Sequence, residues 1–246
     1  MTISLTTKEV QTYREDGLLF PKTVLTPSQA GEYLKVLEDY EAGSGGPIKD
    51  EYRYKCHLVF PWINELMRNK NILDMVEDLI GPNIMVWTSH LYPKEPGDQK
   101  FISWHQDSSH WGLETDNICT VWIALTSATR ENGCMQMLPG SQTTGTVEHH
   151  DTWGEKNMLT RGQTISKEID EEKAVWVEIQ PGEASIHHLE ECGLRTAESL
   201  IIMIIIEVIM IIITVIVIII IILIIIDQPE TKEMEARIAW EPPSHH

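Results

Sequence analysis

The stretch NIMVWTSHLYPKEPGDQKFISWHQD, Asn83 to Asp107, is where the chain changes character. Upstream of it, apolar residues recur at helical spacing. Ile63, Leu66, Met67, Ile72, Met75, Val76 and Leu79 form one stripe that predicts a helix over Trp62 to Ile80, stopped by Gly81-Pro82. Thr26-Pro27 supplies an oxygen cap and a proline at the first helical position, so it opens a helix carrying Leu34, Leu37 and Tyr40 and ending at Ala42 to Gly46. A first helix begins at Thr7 and stops at Gly17. From Asn83 onward the apolar residues come instead in short β-forming runs: Ile84 to Tyr92, Asn117 to Leu125, Met135 to Leu138, Ala174 to Gln180 and Gly182 to His188. Helices first and short strands afterwards predict an α+β fold whose strand half is a sandwich or barrel. No internal repeat or long linker divides the chain, so a single domain over 1–246 is expected.

Charge and cysteine usage narrow the partners. The 37 acidic residues outnumber the 19 basic ones, for a net charge of -18. That balance excludes a nucleic-acid binder, which needs clustered Lys and Arg on phosphate, and disfavours substrates with several phosphates. Cys56, Cys119, Cys134 and Cys192 show no CxxC spacing and suggest neither a zinc site nor a disulfide framework. A reducing, cytoplasmic compartment is the expectation. The opening MTISLTTKEV has no apolar core, so a secretory signal is not expected.

Two groups of residues carry chemistry. In His105-Gln106-Asp107, alternation along a strand would put the imidazole and the carboxylate on one face. Together they are two thirds of the 2-His-1-carboxylate triad of non-haem Fe(II) oxygenases. A surface His and Asp on a turn is the plain alternative. His187-His188, far along the chain, could supply the second imidazole, or could be a buried pair with satisfied hydrogen bonds. His149-His150-Asp151 lies in a polar stretch and reads as solvated. Trp104, Trp111 and Trp122 read as core or pocket wall.

Five blocks, taken together, are more specific than any one motif. HLYPKEPG (His90 to Gly97), SWHQDSSHWG (Ser103 to Gly112), TVWIALTSATRENGCMQMLPGS (Thr120 to Ser141), NMLTRGQ (Asn157 to Gln163) and VEIQPGEASIHH (Val177 to His188) resemble the phytanoyl-CoA dioxygenase family in order and spacing. The resemblance covers about residues 1–188. It implies a double-stranded β-helix, a cupin-like jelly roll, flanked by N-terminal helices. It implies Fe(II), 2-oxoglutarate and O2, a small-molecule substrate, and release of succinate and CO2. His105 and Asp107 match the family's first two iron ligands and would be the catalytic pair. Gln106, Trp122 and His90 match positions near 2-oxoglutarate, and Lys94 is a further pocket candidate. Halogenases on this fold replace the carboxylate by a small residue, so Asp107 implies hydroxylation or a related oxidation in place of halogenation.

After His188 the pattern departs from the family. The family's third iron-binding His falls here near Gly193, which has no side chain to offer, so that ligand is unmatched unless His187 or His188 supplies it. The Arg that pairs with the far carboxylate of 2-oxoglutarate has only Arg195 nearby, at short spacing. A catalytically silent jelly-roll protein without a complete triad is therefore the rival to the enzyme. Residues 200–226 then form an anomalous Ile-rich segment, with 18 of the chain's 32 isoleucines and only Glu207 and Thr214 breaking it. It fits a membrane span by length, closing strands by β propensity, or a stretch foreign to the native reading frame by composition. The lack of basic flanks argues against the membrane.

Overall fold

The computed structural model describes residues 4–92, 100–110, 115, 117–195 and 203–209. All of these fall within one compact unit, Met1–Met210. Residues 211–246, with the rest of the Ile-rich segment, lie outside the described residues, as do 196–202.

The chain opens with α1 (Thr7–Asp16), in which Thr6 and Glu9 close a reciprocal capping box and Gly17, at φ 69°, turns the chain out of the helix. β1 (Leu18–Thr23) follows at once. α2 (Pro27–Ser44) starts where Thr26-Pro27 predicts, with Gln29 completing a second capping box. After the short α3 (Asp50–Arg53), the expected helix over Trp62 to Ile80 is split into α4 (Pro61–Met67) and α5 (Lys70–Ile80). Asn69 causes the break: its side-chain oxygen accepts from the Asn71 amide at 2.9 Å and starts a new helix.

The strands follow: β2 (Met85–Leu91), β3 (Ile102–His105), β4 (Ile118–Ala124), β5 (Met135–Met137), β6 (His149–Asp151), β7 (Gln163–Ile165), β8 (Val175–Val177), β9 (Glu183–His188), β10 (Gly193–Arg195) and β11 (Met203–Ile209). They form a five-stranded sheet in the order β1-β9-β4-β11-β2, a four-stranded sheet in the order β3-β10-β5-β8, and the pair β6-β7. All paired strands are antiparallel. The α+β class stands, with helices ahead of antiparallel sheets.

The five-stranded sheet is covered on both faces. Cys119, Val121 and Ile123 of β4 and Ala184 and Ile186 of β9 share a core with the helices. Trp122 and Ala124 face the other way and pack with Ile102, Met135, Met137 and Val177 of the four-stranded sheet. This explains why all seven residues of β4 are buried instead of every second one. Each buried Ile or Val contributes roughly 1.5–3 kcal/mol of transfer free energy, so β4 is the stiff centre of the domain.

β2 lies at the sheet edge, and the segment after α3 covers it. The buried Ser89 hydroxyl accepts from the His57 amide at 3.0 Å, lies 2.6 Å from His57 Nδ1 and 3.1 Å from Cys56 Sγ. Arg53 Nε donates to the Leu91 carbonyl at 3.0 Å. Such a cover blunts an edge that would otherwise pair with another chain. Among the described residues, no helix is long and apolar enough to cross a membrane.

Candidate metal centre

β3 delivers His105 at its last position, and Asp107 opens the helical turn Asp107–His110 that follows. The two side chains meet: His105 Nε2 is 3.2 Å from Asp107 Oδ1. A third group joins from β9, where His187 Nε2 lies 3.5 Å from Asp107 Oδ2. The Thr120 hydroxyl donates to the same Oδ2 at 2.9 Å.

Sheet register explains the convergence. Thr120 of β4 pairs with His187 of β9, so both point to the face opposite the helices, and Leu18 of β1 continues the row. One row further on, Trp122 pairs with Ser185. On the other side of β4, the backbone of β11 sets Glu207 between Thr120 and Thr88, and Ile205 between Trp122 and His90. His188 takes the opposite face. Its ring centroid is 6.5 Å from that of Tyr13 in α1, and its Nδ1 accepts from the Glu190 amide at 3.2 Å. Of the two adjacent histidines, only His187 reaches Asp107.

The electrostatics bind the trio. Burial alone would raise the Asp107 carboxyl, but hydrogen bonds from His105 and His187 outweigh it and hold the group far below the usual carboxylate range. Burial would lower His105, but the bond to Asp107 outweighs this and raises it. Its Nδ1 lies 2.9 Å from the Ser103 carbonyl, which can only accept, so Nδ1 carries one proton, and Nε2, the atom turned to the site, donates another to Asp107. A histidine that ligates metal is oriented in the same way by its outer nitrogen. His187 Nδ1, by contrast, is buried without a hydrogen-bond partner.

The donor types fit a divalent iron: two imidazole nitrogens and one carboxylate. Their placement is collapsed, not open. Both Nε2 atoms turn onto the carboxylate, and among the described residues no group of three His, Cys, Asp or Glu side chains is arranged to hold a metal ion as it stands. The buried Trp122 Nε1 and Ser185 Oγ also lack partners on this face. Unsatisfied buried polar atoms of this kind often mark the place of a ligand.

The remaining residues singled out from sequence fall elsewhere. Gln106, matched by the resemblance to a position near 2-oxoglutarate, is fully buried and clamps neighbouring backbone. Its Nε2 donates to the Gly145 carbonyl at 3.1 Å and the Glu190 carbonyl at 2.7 Å, and its Oε1 accepts from the Val147 amide at 2.8 Å. His90 has both ring nitrogens engaged, by Thr88 Oγ1 at 3.0 Å and the Tyr92 hydroxyl at 3.1 Å. Burial pushes its pKa down to about 4, with Asp107 opposing and Arg53 adding to the fall, so it is neutral at pH 7. Lys94 lies outside the described residues, and of Arg195 only the backbone, in β10, is described. Gly193 pairs directly with His105 across β10 and β3. A side chain there would share His105's face, which is where the third ligand was expected.

One contributor went unrecognised in the sequence. His149, read as a solvated loop residue, sits on β6 and accepts from the Gln106 amide at 2.9 Å through Nε2. No spacing rule links positions 149 and 106; only the fold brings them together.

The family model described as "Phytanoyl-CoA dioxygenase (PhyH)" matches residues 13–190. Among curated proteins, the chain is similar to a "Probable alpha-ketoglutarate-dependent hypophosphite dioxygenase" of Stutzerimonas stutzeri, 29% identical over 142 residues that cover 50% of this chain and 49% of that one. Among solved structures, it is similar to the apo form of the non-heme monooxygenase ThoJ, with a TM-score of 0.71, 29% identity, and coverage of 82% of this chain and 76% of that chain. CytC3 with Fe(II) and alpha-ketoglutarate shares the fold at a TM-score of 0.61 and 20% identity, over 85% of this chain and 78% of that one. The chain spans about half the length of the curated relatives it matches. Alpha-ketoglutarate is named for the hypophosphite dioxygenase and, together with Fe(II), for CytC3.

Proposed function

The chain belongs to the phytanoyl-CoA dioxygenase (PhyH) family, and from that premise we propose that it is an Fe(II)- and 2-oxoglutarate-dependent dioxygenase that hydroxylates a small organic molecule. The observation that carries this reading is the meeting of His105 and His187, from two segments far apart in the chain, on the one carboxylate of Asp107. In this reading the two sheets belong to a jelly roll with the site between them. His105 and Asp107 are the iron ligands the family pattern supplies, and His187 is the third. Four buried cysteines, none in a disulfide, accord with a reducing, cytoplasmic setting.

Iron held there would supply the redox chemistry of the overall reaction, substrate C–H plus 2-oxoglutarate plus O2 giving substrate C–OH plus succinate plus CO2. The chain's own residues bind and orient. Ser103 fixes the His105 tautomer so that Nε2 faces the site. The Thr120 hydroxyl donates to Asp107 Oδ2 and steadies the carboxylate, which with His105 and His187 would hold the iron. Trp122 Nε1 and Ser185 Oγ are donors for the polar end of a bound acid. The dry walls of β4 and β9 exclude water from the reacting centre.

A second reading, a silent jelly-roll binding protein, is favoured by one side of the site. Gly193 occupies the register position opposite His105, and β11 has the sequence MIIIEVI, with no basic residue to pair with a carboxylate. The test is anaerobic titration of the full chain with Fe(II) and 2-oxoglutarate, followed by succinate assay in air. A visible charge-transfer band that needs both additions, with succinate release, supports the enzyme. Stoichiometric Fe(II) binding with neither band nor succinate supports the silent protein.

A further inference from the structure

The peptide between His105 and Gln106 is the point where the chain leaves β3. Its amide has no strand neighbour to bond, because β3 ends at His105 and the helical turn begins at Asp107. His149 catches it. The ring is set for this by its own strand: Nδ1 lies 2.8 Å from the Val147 carbonyl, an acceptor only, so Nδ1 carries the proton and Nε2 is left as the acceptor for the Gln106 amide at 2.9 Å. β6 is itself anchored by pairing His149 with Ile165 of β7. The Gln106 side chain returns the grip by holding Gly145, Val147 and Glu190, so the segment before β6 and the motif lock each other.

We propose that His149 is a positioning residue for the metal centre. It fixes the peptide plane that joins His105 to Asp107, and so keeps the two side chains on one side as the chain turns. This rests on reading the site as an iron centre. An imidazole suits the task because its acceptor stands at the end of a rigid ring, far from the β6 backbone. Gln places a carbonyl oxygen at a similar reach and can accept the same bond; Ala cannot.

The experiment compares the full-length wild type with His149→Ala and His149→Gln, by anaerobic Fe(II) binding and by the 15N shifts of the His105 ring in metal-free protein. His149→Ala should weaken Fe(II) binding about 10–100-fold, the usual cost of losing a group that orients a ligand. It should also move or broaden the His105 ring signals, while His149→Gln keeps both close to wild type. A His149→Ala protein with unchanged Fe(II) affinity and unchanged His105 signals overturns the inference. So does an equal loss in the Ala and Gln variants, which would make the ring a mere spacer. Failure of the wild type to bind Fe(II) overturns the proposed function; the ring signals then still decide whether His149 orients the motif.

Discussion

The two sides of the candidate site were put together under different constraints. On the β3–β4–β9 side, a carboxylate is held by a threonine hydroxyl and approached by two imidazoles at 3.2 and 3.5 Å. On the β10–β11 side, the residue paired with His105 is a glycine and the next strand is nearly all aliphatic. Ligand identity lives in side chains, whereas sheet pairing lives in backbone. The second side has the strand pairing but a glycine where a ligand was expected, so scaffold and chemistry can be separated within one site.

The largest expected effect would test the side that is built. Asp107→Ala removes the group both imidazoles face, and Fe(II) affinity should fall by more than about 100-fold, beyond the usual cost of losing a mere supporting group. Measured by equilibrium binding, retention of wild-type affinity would place the metal elsewhere. The next variant probes the side that is not built. Gly193→His should raise Fe(II) affinity about 10–100-fold, since the nearest atoms to a Cβ there, Met137 Cε at 3.4 Å, the Gln136 carbonyl oxygen at 3.8 Å and Met137 Cγ at 3.9 Å, are at ordinary contact distance. No gain in Gly193→His, together with a complete loss in His187→Ala, would show that β9 alone supplies the third ligand. Thr120→Val should weaken binding about 10-fold and Thr120→Ser should restore it, because only the hydroxyl is at stake.

The last effect, on stability and not on metal binding, concerns Glu191, just before β10. Both of its oxygens are buried without well-formed hydrogen bonds, and burial pushes its pKa up to about 8, with Asp16 adding to the rise and the Ser141 hydroxyl and Gln142 amide opposing it. The folded pKa is above the unfolded one, so the native state binds the proton more tightly. That stability is complete below about pH 4.5 and is lost progressively as the pH climbs from there to about 8. Glu191→Gln should therefore match the wild type in melting temperature at pH 5 and exceed it at pH 9. Parallel melting curves for the two proteins across that range would mean that Glu191 is already solvated.

Some of this was legible in the sequence because it depends on neighbours along the chain. Thr26, Pro27 and Gln29 specify a helix start through local hydrogen bonds, and the two-residue spacing lets His105 and Asp107 meet where the chain leaves β3. Other features depend on partners more than forty residues away. Whether His187 or His188 faces inward is decided by the pairing of Thr120 with His187. The stripe from Ile63 to Leu79 continues across Asn69, and only the local competition between cap and helix interrupts it. Gln106 sits inside the motif, yet its side chain is spent on the backbone of Gly145, Val147 and Glu190, partners that only the fold supplies.

The position of β11 bears on how the protein is made. Its backbone lies between β4 and β2, and it is the strand neighbour of β2 among the described residues. β2 leaves the ribosome more than a hundred residues before Met203, and until then the slot between Met85–Leu91 and Ile118–Ala124 has no occupant. The sheet can close only late in synthesis, by insertion of a strand between two edges already formed, a long-range step that is intrinsically slow. During that interval the edges of β2 and β4 are open to other chains, so the yield of native protein should depend on how soon translation delivers the isoleucine-rich strand.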